Sequence, residues 1–366
     1  MSHHQIPSNR PKILFISGFL PSDRVPSGGQ KLVFAELQSL AREATVDLVA
    51  FYNKKESPYL AQAKFAGCRH VVLIPVTLTN RISGAIFKPQ LPLYSSARWM
   101  AGFGKVRELL AKESYDHVWI EFLQAASLLA LIPKTTSTRV VVHDIFSEAF
   151  KRRSLQATGL RRALLRLEFK RAFLWEQKIL KRPDKIYSLT SRESALIQEM
   201  TGRGDTIVRY PQASADIINL CRQAENIKKH SILFFGQMSR DENADAAIWF
   251  ARKILPLIRK EIASARFIIA GANPGPEVLA LQSHEVDVIG FVEQPPAVLA
   301  TCHIAIAPLR LGSGVKIKVI EYLAAGIPTV ATSIGAEGVN PSEKLFVRDD
   351  EMSFAQACLD LLKQSY

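Results

Sequence analysis

Short β-branched runs alternate with helix-patterned segments along almost the whole of this chain, and the series is played out twice. In the first half the strand-like runs are Lys12–Ser17, Val46–Tyr52, His70–Pro75, His117–Glu121, Arg139–His143, Lys185–Thr190 and Thr206–Tyr210, with helical segments such as Gln30–Glu43 and Gly104–Glu113 between them. Several runs are apolar nearly throughout, as parallel strands covered on both faces must be. The alternation predicts βαβ units wound into a parallel sheet. Around residues 210–230 it lapses: Pro211 follows a strand, and the polar stretch Gln223–His230 has no strand pattern. It restarts with strands at Ser231–Gly236, Arg266–Gly271, Val286–Gly290, His303–Pro308, Pro328–Thr332 and Leu345–Arg348, and helices at Ala244–Glu261, Pro276–Leu281, Val315–Ala325 and Ser353–Gln364. The expectation is an α/β protein of two Rossmann-like doubly wound domains, 1–209 and 231–366, joined by a hinge at 210–230. Such sheets bind ligands at the C-terminal ends of their strands, where helix N-termini present free N–H groups, so the natural site is a cleft that two such domains would form.

A length of 366 residues suits two domains, and 48% hydrophobic with 22% charged residues is a soluble globular balance. No apolar run approaches the roughly 20 residues that span a bilayer; Ala125–Pro133 stops well short. The N-terminal residues lack a signal peptide's apolar core and read as a short disordered lead-in. Cys68, Cys221, Cys302 and Cys358 are scattered without Cys-x-x-Cys spacing, which disfavours zinc and fits reduced thiols in the cytoplasm.

The net charge of +13 points to an anionic partner. Between Lys151 and Arg182 stand eleven basic residues, Arg161, Arg162 and Arg166 among them, against only Glu168 and Glu176. Leu160, Leu164, Leu167, Ala172, Trp175 and Ile179 recur there at roughly helical spacing, the pattern of a basic amphipathic helix or helix pair suited to an anionic membrane surface.

The stretch from Leu309 to Thr332 carries the most chemistry. Gly312 and Gly314, flanking Ser313, let the backbone approach a ligand closely, and the helix that begins near Val315 offers unpaired N–H groups. Lys316 and Lys318 oppose the dipole of that helix, so helix stability does not explain them, whereas an anionic ligand such as a diphosphate does. Glu321, about a turn further on, can accept hydrogen bonds from vicinal hydroxyls. The bland alternative is a glycine-rich turn with solvated lysines.

Glu321 and the run Ala324-Ala325-Gly326-Ile327-Pro328-Thr329-Val330-Ala331-Thr332 resemble the donor signature of retaining glycosyltransferases of the GT-B fold, family 4. The family's first Glu falls at Ser313 here, so this is a variant form. Ser231–Arg240 resembles the first strand and loop of the family's donor domain, with Gln237 where an Arg is usual and Glu242-Asn243 near the usual Lys; Arg240, Lys316 and Lys318 are the available replacements. The resemblance implies a nucleotide site walled by Gly236, Gly271, Gly290, Phe291 and Val292. In the first half, Pro26-Ser27-Gly28-Gly29-Gln30-Lys31 resembles the family's Gly-Gly loop facing the donor phosphates. His143 resembles its active-site His; the alternative is a His satisfied at a strand end, with Asp144 capping the next helix. Glu121 ends the neighbouring strand and is expected on the acceptor side.

The resemblance implies transfer of a sugar, with retention, from a UDP- or GDP-linked donor to a glycan or lipid-linked acceptor in surface polysaccharide or glycolipid assembly. No separate cofactor is expected. Leaving-group charge is met by helix N-termini and lysines, so no essential metal is expected; Asp349-Asp350 and Asp241-Glu242 read as solvated. Location is expected in the cytoplasm, peripheral on the inner membrane face. The alternatives are a nucleotide-sugar epimerase on the same double fold and a non-catalytic glycan- or partner-binding member. Nucleic-acid binding has no supporting motif.

Overall fold

A computed structural model describes residues 10–25, 27–62, 65, 67–213, 215–220, 224–312 and 314–364. The chain divides into two compact units, the first ending at Tyr210 and the second beginning at Pro211.

In the first unit the elements are β1 (Lys12–Ser17), α1 (Gly28–Glu43), β2 (Thr45–Tyr52), β3 (Cys68–Pro75), α2 (Leu78–Phe87), α3 (Leu93–Lys112), β4 (His117–Glu121), β5 (Ser137–Val142), α4 (Phe146–Gln156), α5 (Gly159–Ile179), β6 (Lys185–Ser188), α6 (Ser191–Thr201) and β7 (Ile207–Val208). The strands form one parallel sheet in the order β3-β2-β1-β4-β5-β6-β7. Chain direction across the sheet reverses between β1 and β4, and ligands of doubly wound sheets lie beyond the strand ends at such a switch point. Leu14, Ile16, Val118, Ile120, Val140 and Val142 share one core beneath the sheet, and the alternate residues Ile13 and Phe15 are buried as well, so neither face of β1 meets water.

The second unit holds α7 (Ala215–Ile218), β8 (Lys228–Phe235), α8 (Asp241–Trp249), a π-helical turn at Phe250–Ile254, α9 (Leu255–Glu261), β9 (Arg266–Ala270), α10 (Pro276–Leu279), β10 (Val286–Gly290), α11 (Pro295–Thr301), β11 (Cys302–Ala307), α12 (Ile317–Ala324), β12 (Thr329–Ala331), β13 (Leu345–Val347) and α13 (Glu351–Leu362). Its parallel sheet runs β10-β9-β8-β11-β12-β13, the same winding. Side chains alternate between two cores as the pleat requires. Ile232, Phe234, Phe267, Ile269, Ile304 and Ile306 enter one; Leu233, Ala270, Ala305 and Ala307 enter the other.

Each strand expected from the sequence is present, with ends that agree to within three residues. The edge strand β7 shrinks to two residues; Arg209, just past it, still donates its N–H to Ser188 O at 2.8 Å while its side chain pairs with Glu36 at 3.1 and 2.9 Å. Strand β8 starts at Lys228, inside the stretch read as hinge, since a strand's first backbone hydrogen bonds need no apolar side chains. Helix α3 starts at Leu93 rather than Gly104. Its first turns bury polar residues: Ser95, Ser96 and Arg98 are enclosed, with Arg98 Nε donating to Gly18 O at 2.7 Å.

Candidate functional site

In the first unit the strand ends at the switch point carry a buried Glu–His pair. Glu121 is the last residue of β4, and His143 follows β5, its neighbour in the sheet. Glu121 Oε2 lies 2.7 Å from His143 Nε2, and Glu121 Oε1 accepts the Trp119 indole N–H at 2.8 Å. Glu121 is thus not an open acceptor wall, as expected from its strand-end position; it is 2% exposed and spent on orienting the imidazole. The His143 ring stacks on Phe122 with centroids 4.0 Å apart. Phe122 has φ +69°, a conformation that non-glycine residues rarely hold and that stores roughly 1–3 kcal/mol of strain.

Gly29, in the first turn of α1, faces this pair: a Cβ there would stand 3.5 Å from Phe122 and 3.7 Å from His143 Nδ1. The helix has no side-chain cap, so its first N–H groups at Gly28 and Gly29 are left open, Gly29 beside His143. Pro26 lies outside the described residues. The N-cap position of α4 is held by Ile145 rather than Asp144. The Phe146 and Ser147 N–H groups donate instead to Glu176 of α5, at 2.9 and 3.2 Å. Burial pushes the Glu176 carboxyl up to about 7.

The second unit gathers its glycines at the equivalent edge. The Gly236 N–H donates to Ala270 O at 2.9 Å, and the Gly271 N–H to Gly290 O at 2.6 Å. These strand ends touch so closely that a Cβ on Gly271 would sit 1.6 Å from Gly236 O. Phe291, beyond Gly290, is 61% exposed, and Val292 packs against the core under α12.

Lys318, in the first turn of α12, reaches back to this edge. Its ammonium donates to Asn243 Oδ1 at 2.7 Å and lies 4.5 Å from the Phe234 ring centroid. A Cβ on Gly236 would come within 2.6 Å of Lys318 Nζ. Burial first, then the positive charges of Arg240 and Lys316, pull the ammonium down to about 7; Glu242 and Glu321 act the other way. Lys318 is therefore a half-buried, partnered lysine rather than a freely solvated one.

The other two expected cations are differently placed. Lys316 is the N-cap residue of α12 and is buried, its ammonium donating to Gly314 O at 2.6 Å and lying 3.8 Å from Glu337. It braces the glycine loop from within. Arg240 is paired with Glu242 at the start of α8 and is exposed. Gly312 and Gly314 both take positive φ, +107° and +78°, which permits the sharp loop before α12, with Val315 half-buried at its end. Ser313 lies outside the described residues. Glu321 sits on α12 one turn beyond Lys318.

Three residues that hold this edge were not singled out by the sequence. The buried Tyr322 hydroxyl accepts the Phe235 N–H at 2.8 Å and donates to Phe235 O at 3.3 Å, tying α12 to the end of β8. The Asn243 side chain donates to Gln237 O at 2.9 Å while accepting Lys318. The Thr332 hydroxyl donates to Leu309 O and accepts the Gly335 N–H at 2.9 Å, anchoring the root of the glycine loop. None has a local pattern, because each acts on a partner distant in sequence.

Arg161, Arg162 and Arg166 lie on α5 and are exposed. Asp349 accepts Ser333, and Asp350 caps α13 through the Ser353 N–H at 2.9 Å, both from exposed positions. Asp241 and Glu242 form the first turn of α8. Among the described residues no group of three or more His, Cys, Asp and Glu side chains is placed to hold a metal ion.

Residues 229–364 match the model of a family described as glycosyl transferases group 1, a match that lies wholly in the second unit. A curated relative, an uncharacterized 44.6 kDa protein in the cps region of Klebsiella pneumoniae, is 30% identical over 144 residues, 36% of this chain and 37% of that protein. The chain thus aligns with little more than a third of that relative's length. Solved structures share the whole fold at low identity. HepE of Anabaena in complex with UDP and glucose has a TM-score of 0.61 at 14% identity, covering 97% of this chain and 90% of that one. Sucrose-phosphate synthase from Thermosynechococcus elongatus gives 0.69 at 14% with the same coverage, and WaaG, a glycosyltransferase involved in lipopolysaccharide biosynthesis, gives 0.65 at 14%, covering 96% and 91%. The two parallel sheets and their winding are those of the GT-B glycosyltransferase fold, as expected from the sequence.

Proposed function

We propose that this chain is a glycosyltransferase that takes a sugar from a nucleoside-diphosphate donor held by its second unit. The observation that carries the reading is Lys318, a half-buried lysine set against Gly236 and Asn243 on a glycine edge, within the stretch that matches the group 1 family. A partly desolvated ammonium with a lowered proton affinity is a cost to the fold, whereas a diphosphate beside it stabilises the charged form. Free N–H groups at the start of α12 add to the same attraction. Glu321, a turn away, accepts the sugar or ribose hydroxyls.

The donor is UDP-linked by preference, since HepE is described with UDP, glucose and UDP-glucose; a GDP-linked donor is the alternative. His143, oriented by Glu121 beside Gly29, is the first-unit residue assigned to catalysis. Transfer retains configuration and needs no metal, because the leaving diphosphate is met by Lys318 and the helix N-terminus. The acceptor is a glycan or lipid-linked sugar of surface polysaccharide assembly, a pathway suggested by the cps-region relative.

Incubation with a panel of nucleotide sugars, with and without lipid-linked and glycan acceptors and with EDTA, tests this. Acceptor-dependent release of nucleoside diphosphate that survives EDTA supports the reading. An isomerised sugar formed without acceptor would mark an epimerase, and no turnover with any pair would mark a binding protein.

A further inference from the structure

The first unit displays large apolar side chains where a soluble protein ordinarily shows polar ones. On α2, Leu78, Ile82 and Ile86 follow one another at i, i+4 and i+8 along one ridge, and Phe87 ends the helix 68% exposed. On α5, Leu160, Leu164, Leu167 and Leu174 form a second exposed ridge, with Leu160 at 77%. The sequence pattern groups Leu160, Leu164 and Leu167 with Ala172, Trp175 and Ile179 as one apolar face. The structure separates them: the latter three are buried and the leucines face out.

The two ridges are joined. The connection between α2 and α3 is tied to the middle of α5, where Arg171 Nη2 donates to Leu91 O at 2.5 Å and the Leu93 N–H donates to Glu168 at 3.1 Å. Tyr94 then stacks on Phe146 with centroids 4.4 Å apart and meets Trp175 edge-on, so α3, α4 and α5 form one firm mount.

Charge identifies the occupant. From Leu78 to Leu93 the chain carries Arg81 and Lys88 and no acid. Between Lys151 and Arg182 the only two acids, Glu168 and Glu176, are buried and used inside the fold, on Leu93 and on the start of α4. Arg162, Arg166 and Lys170, spaced every fourth residue, form an exposed row that slants round α5 and closes on the leucine ridge at Lys170 and Leu174. Exposed leucine and isoleucine ridges bordered by unopposed arginine and lysine fit an anionic bilayer, which takes apolar side chains between its headgroups and attracts the cations to its surface. A second copy would bring two positive faces together, and a nucleic acid offers nothing to the apolar ridges. No helix among the described residues is long and apolar enough to cross a membrane, so the contact is with the surface.

We propose that α2 and α5 together dock this protein on an anionic lipid surface, α2 supplying apolar anchors and α5 both anchors and charge. This does not rest on the glycosyltransferase reading and is measured without any sugar.

The test is flotation of the full chain with phosphatidylcholine vesicles, with and without phosphatidylglycerol, at low and high salt. Wild type, Ile82→Ser/Ile86→Ser/Phe87→Ser and Arg162→Gln/Arg166→Gln/Lys170→Gln are compared. All six side chains lie on the surface, and unchanged melting temperatures are the folding control. The wild type is expected to float only with phosphatidylglycerol. The charge variant should bind about a hundredfold more weakly, at roughly fivefold for each cation lost. The apolar variant should lose about tenfold or more. Equal flotation with neutral vesicles, or wild-type binding by both variants, overturns the proposal. So does a wild-type dimer that the apolar variant dissociates, which would assign the ridges to a second copy. Duplex DNA binding that the apolar variant retains, without vesicle binding, would assign the charge to nucleic acid.

Discussion

Glu121 Oε2 stands 2.7 Å from His143 Nε2, with both side chains buried and the second Glu121 oxygen held by Trp119. If the imidazole gives its Nε2–H to the carboxylate, Nδ1 is left with its lone pair on the side of Gly29. Glu121 is then a positioning residue and His143 the group that meets the ligand. Glu121→Gln places an amide N–H against one of two donors, which costs about 1–3 kcal/mol of stability. Turnover should fall about tenfold with it, and His143→Ala should lower turnover by roughly a hundredfold with a smaller effect on donor affinity. Unfolding curves and steady-state kinetics on both variants check this; a Glu121→Gln enzyme normal in both would remove the pairing from the account.

Lys318 predicts a pH dependence of definite sign. Its ordinary value of 10.5 is lowered to about 7 in the fold. Below pH 7 the folded and unfolded chains both hold the proton, and this group adds no slope. Between about 7 and 10.5 only the unfolded chain holds it, so stability rises with pH across that window. Lys318→Met should flatten the rise. A diphosphate restores the charge, so nucleotide binding at pH 8 should take up a proton. Calorimetry in two buffers of different ionisation enthalpy reads that uptake, and it should vanish in the Met variant.

Two glycines of the same edge should respond differently to alanine. A Cβ on Gly271 meets the backbone oxygen of Gly236 at 1.6 Å and the residue has φ +142°, so Gly271→Ala should cost upwards of about 3 kcal/mol or prevent folding. Gly312 has φ +107° but no neighbour nearer than the Glu242 side chain at 3.8 Å. Gly312→Ala should therefore fold with a loss of about 1–2 kcal/mol, while distorting the loop and weakening donor binding. Thermal melts and nucleotide titrations separate the two.

Tyr322→Phe removes one oxygen and leaves both the Phe235 N–H and C=O without that partner under α12. The expected loss is about 1–3 kcal/mol in urea unfolding, with donor affinity reduced because α12 carries Lys318 and Glu321. An unchanged midpoint would show that α12 is held by apolar contacts alone.

The strands were legible because a parallel strand covered on both faces must be apolar at every position, as Lys12–Ser17 and Cys302–Ala307 nearly are. The glycine loop before α12 was legible because glycines and lysines in that order have few other uses. Helix α2 and the first half of α3 were not. The apolar ridge of α2 faces outward, and the start of α3 buries Ser95, Ser96 and Arg98, so hydrophobic periodicity points the wrong way in both. Within the site, the sequence singles out the residues of its turns but misses Phe122, Asn243, Tyr322 and Thr332. These act across long stretches of chain, on partners that only the folded sheet brings near.

The most direct test of the donor site is a thermal-shift series of wild type and Glu321→Ala against UDP, GDP, ADP, CMP and their sugars, with and without EDTA. A ligand that binds only the folded chain must raise its melting temperature. The account predicts a rise with one nucleoside diphosphate, UDP first, that is insensitive to EDTA and absent in Glu321→Ala. No rise with any nucleotide, or an equal rise in the Ala variant, would contradict a donor site built on Lys318 and Glu321.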